Sequence, residues 1–96
     1  MGPAALSLIR RRLPPHLAVR VVFLAAGEAR AYRRADWRGA FVVVECGEVE
    51  LCGLSGATLR LRRGDSASLA DLPLAFLYNP GPTIALLAAA SRREPD

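Results

Sequence analysis

The sequence predicts an all-β domain, and three observations carry that prediction. Apolar residues recur with a period of two, as in Leu17, Val19, Val21 and Phe23, the spacing that puts alternate side chains on one face of a strand. Turn residues punctuate the chain at Gly27-Glu28, Cys46-Gly47, Gly53–Gly56, Arg63-Gly64-Asp65 and Asn79-Pro80-Gly81-Pro82. No stretch of helical length shows an apolar period of about 3.6. A sandwich or small barrel of about seven to eight short antiparallel strands, with little or no helix, satisfies all three.

The elements follow in order. Residues 1–15 read as an arm, because Pro14-Pro15 stops any helix: proline lacks the N–H and restricts the residue before it. His16–Leu24 is a strand with Leu17, Val19, Val21 and Phe23 on one side and Ala18, Arg20, Val22 and Leu24 on the other. After the turn at Gly27-Glu28, Ala29–Arg33 is a short second strand, and Arg34–Gly39 is a loop carrying Trp37. Phe41–Glu45 is the next strand, apolar on both faces.

The hairpin that follows can be placed in register. With Leu54-Ser55-Gly56 as a three-residue loop and Gly56 left-handed, Leu51 faces Leu59 and Val49 faces Leu61. Glu50 then faces Arg60 and Glu48 faces Arg62, so charge pairs and apolar pairs separate by face, and a slip of one residue would mix them. Leu74–Tyr78 is a strand ended by a type II turn at Pro80-Gly81. Thr83–Ala90 is the last strand, the domain spans residues 16–91, and residues 92–96 form a polar tail.

Composition narrows the function classes. Ninety-six residues, 52% apolar and 23% charged, suit one folded domain. The net charge of +4 comes from 13 basic residues, all arginine and scattered along the chain, so nucleic acid is not among the expected partners. Cys46 and Cys52 are too few and too close for a disulfide framework and read as reduced thiols. No charged leader precedes the first apolar run, which Arg10 interrupts, and the run Ile84–Ala90 is too short to cross a bilayer. A soluble cytoplasmic protein is the expectation.

At Gly64, Asp65 and Asn79 the chain resembles the cupin family of small jelly-roll barrels, whose second motif sets a glycine and an asparagine at this separation. Gly47-Glu48-Val49 is similar to the turn that closes the first motif. Ala70, Leu72 and Ala75 stand where the second motif has its proline, glycine and metal-binding histidine. Arg33, Ala35 and Ala40 stand for the first motif's two histidines and glutamate, and in the shorter spacing variant Arg34 and Asp36 replace the histidines. The resemblance therefore implies a single cupin-like domain without a metal or other cofactor, since alanine offers no lone pair to a metal.

It also implies faces. Arg33, Ala40, Val42, Val44, Ala75, Leu77 and Asn79 should look into the barrel, together with Val49, Leu51, Leu59 and Leu61. Tyr32, Arg33, Trp37, Leu77 and Asn79 become the ligand-binding candidates, lining a pocket for a small hydrophobic or anionic molecule. Phe41, Val43, Phe76 and Tyr78 should lie outside and form a homodimer interface. The function expected is a small-molecule-binding or protein-interaction module, with no catalytic residue assigned. The alternative is a metal-independent isomerase or cyclase, whose acid–base groups would come from Glu28, Glu45, Asp65, Tyr32 and Tyr78.

Overall fold

The alternating segments become eight strands in the computed structural model, which describes residues 7–9 and 12–92. They are β1 Leu17–Leu24, β2 Ala29–Ala31, β3 Phe41–Cys46, β4 Glu48–Gly53, β5 Thr58–Arg62, β6 Ser66–Ser68, β7 Leu74–Tyr78 and β8 Ala85–Arg92. One short helix, α1, covers Arg34–Trp37, where a loop was expected. The rest of the arm and the tail beyond Arg92 lie outside the described residues. Within them, β8 runs through Ser91 and Arg92 because both pair with β1, so the last strand ends later than its apolar run.

All the pairings are antiparallel, and they make two sheets of order β1-β8-β3-β6 and β2-β7-β4-β5. Among the described residues no strand of one sheet pairs with a strand of the other, so the expected closed barrel is replaced by an open sandwich. The hairpin adopts the predicted register, with Leu51 opposite Leu59, Val49 opposite Leu61, Glu50 opposite Arg60 and Glu48 opposite Arg62. Gly56 takes φ 91°, which the three-residue loop requires. At the turn from β3 to β4 only glycine fits. Gly47 has φ 74°, and a Cβ there would lie 2.9 Å from the Ile84 carbonyl oxygen.

The core lies between the sheets. Val22 and Leu24 of β1, Val42 and Val44 of β3 and Leu87 of β8 pack with Val49 and Leu51 of β4, Leu61 of β5 and Leu77 of β7. Burial of each such side chain is worth about 1.5–3 kcal/mol relative to exposure. Three residues expected inside depart from the pattern. Leu59 sits opposite Leu51 on the edge strand β5 and is 49% exposed. Ala75 is displaced by a bulge: the register passes from Cys52–Phe76 to Gly53–Leu74, and Leu74 enters the core in its place. Arg33 is exposed at the start of α1.

The outer faces differ. On the first sheet, Val43, Ala88 and Ala90 are buried beneath Leu8 and Leu13 of the arm, while Val19, Val21, Phe23 and Phe41 remain exposed. The arm is fastened by Glu45, whose carboxylate accepts the Ser7 hydroxyl at 2.6 Å and the Leu8 N–H at 2.8 Å. On the second sheet, Arg60 pairs with Glu50 at 2.5 Å and reaches Glu48 at 4.0 Å.

Candidate functional site

Two strand edges bound a polar recess that includes Trp37. β1 is the edge of the first sheet and β2 the edge of the second, and the chain crosses from one to the other at Ala25–Glu28. Glu28 holds this corner. Its carboxylate accepts the Ala25 N–H at 2.9 Å and two Arg30 N–H groups at 3.0 and 2.7 Å. The Ala25 N–H first, and Arg30 second, hold the Glu28 carboxyl below its ordinary value. Arg30 also donates to the Phe23 carbonyl at 2.9 Å, which bolts β2 to β1 beside the corner.

Beyond that bolt the edges are not paired with each other, and a crevice of about 770 Å³ opens between them. Its other end is set by α1. Arg38 ends the helix in the left-handed region at φ 53°, its N–H donates to the Arg34 carbonyl at 2.8 Å, and Trp37 turns inward to 4% exposure. Arg20 shares its side of β1 with Val22 and Leu24, and its guanidinium lies 5.0 Å from the Trp37 ring centroid. Tyr32 backs the indole, with ring centroids 6.4 Å apart and planes at 27°. Arg33 and Asp36 complete the lining. Among the described residues no carboxylate lies within ion-pair distance of Arg20 or Arg33.

The backbone adds donors and acceptors. In an antiparallel strand the N–H and C=O of one residue point to the same side, and successive residues alternate. Tyr32 donates to Ala75 and Glu28 accepts from Asn79, so Ala29 and Ala31 turn their backbone groups to the free edge. On β1 the Phe23 carbonyl accepts from Arg30 and the Leu17 N–H donates to Pro14, both away from β8, so Val21 between them faces the crevice likewise.

Of the expected ligand-binding residues, Arg33 and Trp37 line this crevice, and Tyr32 packs behind Trp37. Leu77 and Asn79 do not: both are 0% exposed. Asn79 spends its amide on the fold, donating to the Leu24 carbonyl at 3.1 Å and the Thr83 carbonyl at 2.8 Å and accepting the Gly81 N–H at 2.9 Å. That last bond replaces the expected type II turn, since Gly81 is not among the residues with positive φ. Three of the possible acid–base groups are also engaged. Glu28 holds the corner, Glu45 holds the arm, and Asp65 accepts the Arg62 N–H at 2.8 Å. No three His, Cys, Asp or Glu side chains converge among the described residues.

The expected interface residues do not share a surface. Phe41 and Val43 belong to the outer side of the first sheet, Phe76 and Tyr78 to the second, and Val43 is 0% exposed beneath the arm. Alternation alone shows which residues share a face of a strand, not which sheet that strand joins.

Arg20 is the residue that sequence reasoning missed. The signal was its place between Ala18 and Val22 on β1, an arginine in an apolar stripe. Because both sides of this strand are apolar, neither could be identified as the interior. Comparison with protein-family models, with curated proteins and with solved structures finds no match to this chain.

Proposed function

We propose that this chain is a cupin-like jelly-roll module, free of the family's metal centre, that binds a small anionic molecule in the β1–β2 crevice and acts as a homodimer. The pairing of β1 with β8, β2 with β7, β3 with β6 and β4 with β5 supports the jelly-roll reading, because a long double ribbon rolled on itself pairs its strands in that order. Alanine at positions 35, 40 and 75 supports a site that works without the family's metal ligands.

The observation that carries the binding reading is the Arg20 guanidinium, stacked on Trp37 at the crevice without a carboxylate partner among the described residues. The cation–π contact places the guanidinium at the crevice and leaves its N–H groups available to an anion. For the dimer, the strand residues on the outer face of the first sheet carry charge only at Glu45, which holds the arm, and at Arg92. An apolar face is complementary to itself about a two-fold axis. Val19, Val21, Phe23 and Phe41 are the contacts this dimer would use.

Native mass spectrometry of the purified protein tests both parts. The expected spectrum is a dimer that retains an organic anion, with the anion lost in Arg20→Gln. A monomer with Val21 and Phe23 intact would remove the dimer, and an adduct that survives Arg20→Gln would move the ligand out of the crevice.

A further inference from the structure

We propose that the ligand of the crevice is a monocarboxylate with a short apolar or aromatic body, and that Asp36 sets this preference over phosphate. The proposal rests on the binding reading above and names its chemistry.

Charge bookkeeping within the crevice leads to it. Arg20, Arg30 and Arg33 line it together with Glu28 and Asp36. Arg30 and Glu28 meet through two hydrogen bonds at 3.0 and 2.7 Å and neutralise each other. Arg20 and Arg33 then stand against Asp36 alone, which leaves one positive charge. A monoanion balances it. A phosphate dianion would carry one charge in excess and be repelled by the Asp36 carboxylate, a like-charge penalty that salt weakens at these exposed side chains.

The shape of the donors points the same way. The Arg20 guanidinium, 5.0 Å from the Trp37 ring centroid, carries parallel N–H groups in one plane, a fork that matches the two oxygens of a carboxylate. The free backbone edge at Val21 supplies a further donor beside it. The body of the ligand would lie along Ala29 and Ala31, the exposed apolar lining on the β2 side, which offer no side-chain hydrogen-bond acceptor.

The test uses the uniformly ¹⁵N-labelled full chain, whose single tryptophan gives one indole N–H resonance. Three probes are titrated: sodium benzoate, inorganic phosphate and benzamide, the last a neutral analogue of nearly the same shape. Benzoate should move the Trp37 resonance saturably, phosphate should bind about tenfold more weakly, and benzamide should leave it in place. Arg20→Gln should weaken benzoate about tenfold at an unchanged melting temperature. Arg20→Lys, which keeps the charge and loses the fork, should weaken it by several-fold. Asp36→Asn should narrow the preference for benzoate by improving phosphate. Phosphate binding as tightly as benzoate, and lost in Arg20→Gln, would overturn the ligand class while leaving an anion site. Benzamide binding like benzoate would overturn the role of charge. No movement with benzoate or phosphate would overturn the crevice reading itself.

Discussion

The outer face of β1-β8-β3-β6 presents Val19, Val21, Phe23 and Phe41 and is partly roofed by Leu8 and Leu13, whereas the outer face of β2-β7-β4-β5 carries Glu48, Glu50 and Arg60 in ionic contact. The same antiparallel geometry underlies both. Paired charges are finished by water, so that part of the second sheet, which lies beside Phe76 and Tyr78, needs no cover. A face of valine and alanine is finished only by more protein, and the chain supplies that cover for half of the first sheet, over Val43, Ala88 and Ala90. The contrast separates what is built to be wet from what is built to be covered, and it can be sharpened by substitution.

The shared core sets the upper scale. Leu77→Ala empties a fully buried position between the sheets and should cost about 3–4 kcal/mol, read from the urea midpoint at constant m-value. On the first sheet's exterior, Leu8→Ala should cost about 2 kcal/mol and raise the binding of a hydrophobic dye as Val43 and Ala88 are uncovered. A Leu8→Ala protein as stable as the parent would mean that the arm contributes no cover. On the opposite exterior, Arg60→Gln should leave the melting temperature unmoved at low and at high salt, because its partners Glu50 and Glu48 are open to screening. A clear drop would make that face more than a wet surface.

A pH-dependent effect belongs to the corner joining the sheets. The Glu28 carboxyl is held below its ordinary value, so its contribution is fully present above the unfolded-state value and is lost as pH falls through the lower folded-state value. The stability difference between the parent and Glu28→Gln should be constant near neutral pH and shrink in acid, as followed by thermal melts. A difference that grew in acid would reverse the sign and deny the Ala25 and Arg30 contacts their role.

A further contrast concerns the two thiols. Burial, with the nearby Glu50 carboxylate second, pushes the Cys52 thiol up, and Cys52 is buried while Cys46 is exposed. Iodoacetamide should therefore label Cys46 first, with Cys52 following only when the protein unfolds, as peptide mapping would show.

The hairpin from Val49 to Leu61 was legible to the residue because two independent patterns, apolar and charged, agree on a single register and Gly56 fixes the loop. β7 was legible because its end is marked by Asn79-Pro80-Gly81-Pro82. The bulge at Ala75 was not, since nothing in Leu74-Ala75-Phe76 says which residue is unpaired; the partner strand decides it. The helix at Arg34–Trp37 is too short to show a period, and its end depends on Arg38 taking a conformation that its residue type does not advertise. Of the site, the aromatic pair and Arg33 were visible as a cluster in sequence. Arg20 lies on another strand, and only the folding of β1 over α1 brings it to Trp37.

The pairing of β1 with β8 joins Leu17 to Arg92 and so spans almost the whole described chain. During synthesis β1 has no strand partner until β8 emerges from the ribosome, and β3, which can pair with β6 earlier, waits for the same strand to fill its other side. The β4–β5 hairpin, the only pairing of consecutive strands among the described residues, can close first. A chain with this order should fold late and all at once, with the closing of a long loop as its slow step.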